Sequence, residues 1–283
     1  QYKMGNLSSS SGRERKSSAF RYKANSFFYK PIYCLQKINV CNGKLPFPNA
    51  ERFGLCSLQV QTFAFIEKVN AYYREQAREL CKQAAILNAL SHTEYFSHFS
   101  ACQTEPKNDL GYDVWLLSPY KRSLYTILNK VKLSREDIIE LGIHLCRGLT
   151  QCREAGFIYV GLKPQNIFLS AKGEFQIGDV GFVPISSLPY ATLPKRYSTI
   201  YAPPECQDLF SVISNNTDVY SVGVLLYQLL TGGKQPESIK KLPDSVDKEL
   251  STVTMQACAP TPAKRWSHPR DLEQALTDCR KLR

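Results

Sequence analysis

Hydrophobic and polar positions alternate with two different periods, and the change falls near residue 119. Between residues 31 and 70, apolar runs such as Tyr33-Cys34-Leu35 and Leu58 to Val69 read as strands. A turn-prone stretch, Cys41 to Phe53, separates them with Gly43, Pro46, Pro48 and Asn49. Ala77, Leu80, Cys81, Ala84, Leu87 and Leu90 then recur at three- and four-residue spacing. That spacing predicts a helix over about 71–90 with one face packed on the preceding strands. Val114 to Leu117 reads as a short buried strand, and the polar stretch Ser118 to Ser123, containing Pro119, as a connector.

Beyond the connector the helical period dominates. Ser134, with Asp137 three residues on, predicts an N-cap for a helix reaching about Ala155 and closed by Gly156. Ile167 to Leu169 and Phe175 to Ile177 are short strand runs around the turn Ala171-Lys172-Gly173. Asp218 to Thr231 predicts a strongly apolar helix ending at Gly232-Gly233, and Asp271 to Leu282 an amphipathic terminal helix. A sheet with one helix, followed by a mostly helical half, is an α+β plan in two lobes. The boundaries are residues 31–118 and 119–283, behind a leader of residues 1–30.

Composition changes this picture in three places. With 283 residues, 43% hydrophobic, the chain buries a sizeable core, which excludes wholesale disorder. The formal net charge of +11 is unevenly spread, because residues 1–30 hold Lys3, Arg13, Arg15, Lys16, Arg21, Lys23 and Lys30 against Glu14 alone. This Ser-rich arm reads as a solvated leader, or as a contact for an anionic membrane surface or nucleic acid. The 10 cysteines are scattered without a C-x-x-C pair, so they are expected to be buried thiols in a reducing compartment. No run suits a transmembrane span. The expected location is therefore cytoplasmic, or the cytoplasmic face of a membrane if the chain is one domain of a longer membrane protein.

The candidate chemistry lies in Tyr159-Val160-Gly161-Leu162-Lys163-Pro164-Gln165-Asn166 and in Asp179-Val180-Gly181, whose Asp follows Asn166 by thirteen residues. An Asn and an Asp at the ends of a strand–turn–strand supply two oxygen ligands for a hard cation such as Mg²⁺. Lys163 adds a positive point charge near a phosphoryl group.

These segments resemble the catalytic loop and metal-binding segment of eukaryotic-type Ser/Thr protein kinases. Leu162-Lys163-Pro164-Gln165-Asn166 is similar to the end of H-R-D-L-K-x-x-N, Asp179-Val180-Gly181 to D-F-G, and Ala202-Pro203-Pro204-Glu205 to A-P-E. Asp218-Val219-Tyr220-Ser221-Val222-Gly223 resembles the family's buried helix start, and Arg265 its partner for the A-P-E glutamate, Glu205. The resemblance covers roughly residues 31–283 and implies a bilobal kinase-like fold with a small β-rich lobe before a larger helical one. It further implies ATP with Mg²⁺ held by Asn166 and Asp179, and structural roles for Glu205, Asp218 and Arg265. Some of the phrasing, notably residues 220–232 and the ending Pro262-Ala263-Lys264-Arg265-Trp266, is similar to bacterial members.

The departures from the pattern alter the implied function. Gly161 stands where the family has the aspartate that takes the substrate proton, and glycine has no side chain to act as a base. Gln83 stands where the helix glutamate usually pairs with the strand lysine, and that lysine position falls on Ile66 in one register and Lys68 in another. Cys41 to Gly54, read as the loop between the first two strands, has only Gly43 and Gly54 where the family has three closely spaced glycines, and Pro46 and Pro48 remove donors. Ser198 takes the place of the activation-segment hydroxyl that meets the catalytic loop.

The reading is thus a degenerate member, a pseudokinase. It acts through a protein partner or an adjoining domain as a regulatory or scaffolding module. Lys68, Gln83, Lys163, Asn166 and Asp179 are its candidate nucleotide contacts, with binding either weak or lost. Two alternatives stay open: an atypical Mg²⁺-dependent phosphotransferase or nucleotidyltransferase, and an adaptor for anionic membrane or nucleic acid working through the basic arm.

Overall fold

The computed structural model describes residues 33–39, 63–107, 111–190, 199–206 and 213–281. The basic arm, Cys41 to Gly54 and Ser198 lie outside them. Strand β1 (Tyr33–Asn39) precedes helix α1 (Phe63–Leu90), and β2 (Ala101–Pro106) and β3 (Tyr112–Pro119) follow. The three strands form one antiparallel sheet in the order β1-β3-β2, in which Gln36 stands opposite Leu116 and Ile38 opposite Val114.

Helix α1 begins eight residues earlier than the periodicity predicts, and this corrects the strand reading of its first turns. Residues 63–69 belong to the helix, so Ile66 and Lys68 are both helical and neither occupies a strand position. The apolar run fits either period over so short a span, and no proline or glycine breaks the chain between Phe63 and Leu90, so the longer helix takes it in. Val69, Tyr73, Ala77, Leu80, Ala84 and Leu87 form its buried face, against the buried Val114 and Leu116 of β3.

The cysteine reading needs a correction as well, because Cys81 of α1 and Cys102 of β2 are joined in a disulfide with their Cα atoms 6.1 Å apart. They are 21 residues apart in sequence, and only the packing of α1 on β2 brings them together. Cys146, Cys152, Cys206, Cys258 and Cys279 are free and buried, as read. Burial pushes the Cys206 thiol up to about 11.

After β3, a short helix α2 (Leu124–Leu128) is capped by Ser123, whose hydroxyl accepts from the Thr126 N–H. Helix α3 (Arg135–Glu154) opens with the predicted capping box of Ser134 and Asp137. Strands β4 (Phe157–Tyr159), β5 (Ile167–Leu169), β6 (Phe175–Ile177) and β7 (Phe182–Pro184) pair as β4 with β7 and β5 with β6. Helices α4 (Thr217–Leu230), α5 (Lys248–Ala257) and α6 (Pro269–Lys281) complete the helical part. Helix α4 is buried on every side from Thr217 to Leu229, as its apolar sequence predicts. No described helix is long and apolar enough to cross a membrane.

Two buried ion pairs tie the helical part together. Arg153 at the end of α3 donates Nε and Nη2 to the fully buried Asp218 at 3.1 and 2.6 Å. Arg265 donates through both terminal nitrogens to Glu205 at 2.7 Å each, and also to the carbonyls of Ala259 and Pro260. Its guanidinium lies 4.8 Å from the Tyr220 ring centroid. The forked geometry satisfies nearly every donor of a cation that has no exposure of its own, which is what makes such burial tolerable.

Candidate functional site

A turn of 3₁₀ helix, Pro164–Asn166, carries Asn166 out of the loop that follows β4, and the β5–β6 hairpin returns the chain to Asp179. The Gly178 N–H donates to the Asn166 carbonyl at 2.8 Å, closing the base of the hairpin. The segment Tyr95 to Ser97 runs alongside through a single bridge at Phe96, since Ile177 N–H donates to Tyr95 O at 2.7 Å and Ser97 N–H to Ile177 O at 2.8 Å. These ties place the sheet-side residues Ser97 to Phe99 and Ser118 to Lys121 across from Gln165, Asn166, Phe168 and Asp179. Between them lies a cavity of about 410 Å³, within the range of small-molecule sites.

The cavity sorts the expected contacts. Asn166 and Asp179 line it together. Lys163, half-buried at the start of the 3₁₀ turn, is not in its wall, and neither is Gln83. The side chain of Lys68 lies outside the described residues. Lys121, Tyr120, Ser97, His98 and Phe168 line the cavity although the motifs pointed to none of them. Tyr120 and Lys121 sit in the polar connector after a strand, and that position is the one sequence signal that marked them.

Asn166 is 5% exposed and donates Nδ2 to the Gly161 carbonyl at 2.8 Å. Its Oδ1 has no protein partner among the described residues. Asp179 accepts the Val180 N–H on Oδ1 at 2.8 Å and holds φ at 67°, a left-handed conformation that Asp tolerates better than most residues. An amide oxygen and a carboxylate on one wall fit a hard divalent cation. Two protein oxygens are too few for a full shell, and among the described residues no group of three or more His, Cys, Asp and Glu could hold a metal. A Mg²⁺ there would take its other ligands from phosphate and water.

Gly161 is enclosed rather than open. A Cβ on it would lie 2.8 Å from the Tyr159 hydroxyl oxygen and 2.8 Å from the Val180 carbonyl oxygen. Tyr159 is held there because its hydroxyl donates to Gly178 O at 2.5 Å and its ring packs 5.1 Å from that of Phe182. Gly181 closes on the same spot with φ 145°, its carbonyl accepting from Val160 N–H at 2.8 Å. A Cβ on Gly181 would come within 2.9 Å of the Gly161 nitrogen. The two glycines let these backbones touch.

Gln83, expected opposite a lysine, instead grips this segment. Its Oε1 accepts from Gly181 N–H at 3.2 Å and Phe182 N–H at 2.6 Å, while Nε2 donates to Phe182 O at 2.7 Å. Helix α1 is thus fastened to the residues just after Asp179 by one neutral amide, 6% exposed.

Comparison with known proteins agrees with this architecture. Residues 57–281 match the protein kinase domain family. The chain is 28% identical over 206 residues to a probable serine/threonine-protein kinase of Dictyostelium discoideum, covering 71% of this chain and 12% of that protein. It is 25% identical over 203 residues to serine/threonine-protein kinase 16 of Homo sapiens, covering 65% of this chain and 66% of that protein. A probable serine/threonine-protein kinase of Clostridium perfringens is 23% identical over 188 residues, covering 59% and 27%. The match thus spans less than two thirds of each relative's length. The match over most of its length, the α+β architecture and the paired Asn166 and Asp179 place this chain in the protein kinase domain family.

Proposed function

We propose that this chain is a catalytically impaired protein kinase-like domain that acts by binding, as a regulatory or scaffolding module for a protein partner or an adjoining domain. The observation that carries the reading is the closure around Gly161. Position 161 not only lacks a carboxylate but has its side-chain space filled by the Tyr159 hydroxyl and the Val180 carbonyl. A positioned general base contributes on the order of 10²–10⁴ in rate, and nothing replaces it at this point. The Gln83 clamp supports the same reading, since its amide is engaged with Gly181, Phe182 and Glu79 and offers no charge to a lysine. What the cleft keeps is Asn166 and Asp179, which would hold Mg²⁺ with a nucleotide. When bound, the ion would supply charge neutralisation to the phosphates. The chain's own residues would bind and orient the nucleotide without a base to activate an acceptor.

Incubation with radiolabelled ATP and Mg²⁺ tests this directly. The wild-type chain is expected to incorporate no label, and Gly161→Asp is expected to gain none, because the introduced carboxylate must displace Tyr159. Label incorporation by the wild type that disappears in Asp179→Ala would overturn the proposal. It would favour the second reading, an Mg²⁺-dependent transferase, which rests on Asn166 and Asp179 sharing one cavity wall. A thermal-shift titration with ATP, with and without Mg²⁺, separately reports whether nucleotide binds.

A further inference from the structure

Helix α1 is fastened on two faces. Cys81 joins it covalently to Cys102 of β2, while Gln83, two residues on, takes hold of Gly181 and Phe182. Two residues turn a helix by about 200°, so the disulfide and the amide clamp act from nearly opposite sides. About two turns beyond Cys81, on the same face, Asn88 donates to the Phe99 carbonyl at 2.9 Å and accepts the Phe99 N–H at 2.8 Å. Asn88 thus holds the end of α1, and the disulfide is the covalent tie between its middle and β2.

That tie is open to a thiol from the side of the sheet. Strand β2 is an edge among the described residues, paired with β3 alone, and each of its six residues is exposed, Cys102 included. Cys81 is half-buried on the helix. An attacking thiolate therefore reaches the Cys102 sulfur first, with Cys81 as the leaving group. The free cysteines of the described residues differ, since Cys146, Cys152, Cys206, Cys258 and Cys279 are all buried. Burial pushes the Cys206 thiol up to about 11 and the Cys258 thiol up to about 12, so neither offers a thiolate near neutral pH. Among the described residues, thiol chemistry is thus concentrated at the one bond that borders the clamp.

We propose that Cys81–Cys102 is a thiol–disulfide exchange site for a dithiol reductant, and that opening it loosens the Gln83 clamp on the residues after Asp179. In the first step a reductant thiolate bonds to Cys102 Sγ, the bond between the two cysteine sulfurs breaks, and Cys81 leaves as a thiolate that water protonates. The reductant's second thiolate then displaces Cys102 from the mixed disulfide, and the released Cys102 thiolate is protonated in turn. The chain gains two electrons and two protons, and the dithiol becomes a disulfide. In the oxidised chain α1 is held from both faces, and the Gly181 and Phe182 N–H groups stay on Gln83. Reduction releases one face, which lowers the free energy needed for α1 to open locally and let go of both N–H groups. This inference goes beyond the reading of the cleft, since it needs neither a nucleotide nor a missing base.

Amide hydrogen exchange on the full chain tests the proposal, with dithiothreitol as the dithiol and oxidised glutathione to reverse it. After dithiothreitol, exchange at Gly181 and Phe182 is expected to quicken about tenfold or more, while the amides of the buried helix α4 keep their rates. Oxidised glutathione is expected to restore the slow exchange. Iodoacetamide applied to the same samples should alkylate Cys81 and Cys102 only after reduction, and should leave Cys146, Cys152, Cys206, Cys258 and Cys279 unmarked throughout. Cys102→Ser should exchange at the reduced rate in either reagent. Thermal melting checks that this variant is folded, and if it is not, the reversible cycle on the wild type decides alone. A bond that dithiothreitol opens only in denaturant, an unchanged rate at Phe182 after reduction, or an equal quickening in α4 would overturn the proposal, the last by making the disulfide a general brace. Label incorporation from ATP by the wild type would count against the impaired-kinase reading and leave this one standing.

Discussion

Two buried polar anchors hold this chain's loops, and they use opposite chemistry. In the helical part, Arg265 meets Glu205 through a charged fork and spends its remaining donors on two carbonyls. In the cleft, Gln83 performs the comparable task for Gly181 and Phe182 with a neutral amide. The first keeps a charge pair because both ions are completely met. The second has given up charge where the family pattern carries it, and the freed amide stitches the backbone after Asp179 to α1. A kinase-like fold can thus fasten one loop with a charged pair and another with a neutral amide.

The comparison can be broken from either side. Glu205→Ala should have the largest effect, about 3–5 kcal/mol of stability lost in chemical denaturation, because it strands the fully buried Arg265 charge. A loss below 1 kcal/mol would mean that the carbonyls of Ala259 and Pro260 satisfy the guanidinium alone. Next, opening the Cys81–Cys102 disulfide through Cys102→Ser should cost about 2–4 kcal/mol, given the 21-residue separation it spans. Cys102 is exposed on β2, so the substitution itself disturbs little. Equal stability of the variant and the non-reduced wild type would contradict that contribution.

Gln83→Leu should cost about 1–3 kcal/mol, because the N–H groups of Gly181 and Phe182 and the Phe182 carbonyl lose their partner in a buried site. Gln83→Glu should also destabilise, although it restores the family's residue type, because a carboxylate would face the Phe182 carbonyl. Faster amide hydrogen exchange at Phe182 in both variants checks the cause.

The smallest effect concerns His144, whose ring packs 4.7 Å from Tyr95 and whose buried Nε2 has no hydrogen-bond partner among the described residues. Burial lowers its pKa below the ordinary 6.5, so the unfolded chain binds the proton more readily. Its contribution to stability is complete above about pH 6.5 and is lost as pH falls from there toward the folded-state value. Melting temperature measured between pH 7.5 and 5 should therefore decline, and His144→Leu should flatten part of that slope. An unchanged slope would remove His144 from the account.

Legibility in the sequence followed the range of the forces involved. The capping box at Ser134 and Asp137, strands β5 and β6, and the all-round apolar α4 come from contacts within a few residues, and each was readable locally. The start of α1 was not, because residues 63–69 fit both periods and only continuity with the rest of the helix to Leu90 decided between them. Strand β2 is exposed along its whole length and carries no alternating pattern to mark it. Helix α5 escaped because Lys248–Ala257 is short and weakly apolar.

In the cleft, the motif order identified Asn166 and Asp179, and the cavity brings them together. Lys121 and the Gln83 clamp depend on partners 55 and 99 residues away, beyond any periodicity.

The sequence by itself determined the family, the order of its segments and the missing carboxylate at Gly161, because these are matters of residue identity and spacing. The tertiary structure alone decided that position 161 is closed, that Gln83 faces backbone instead of a lysine, and that Cys81 meets Cys102. Each of these depends on which distant atoms occupy the few ångströms around a side chain, and that is set by how helices and strands pack.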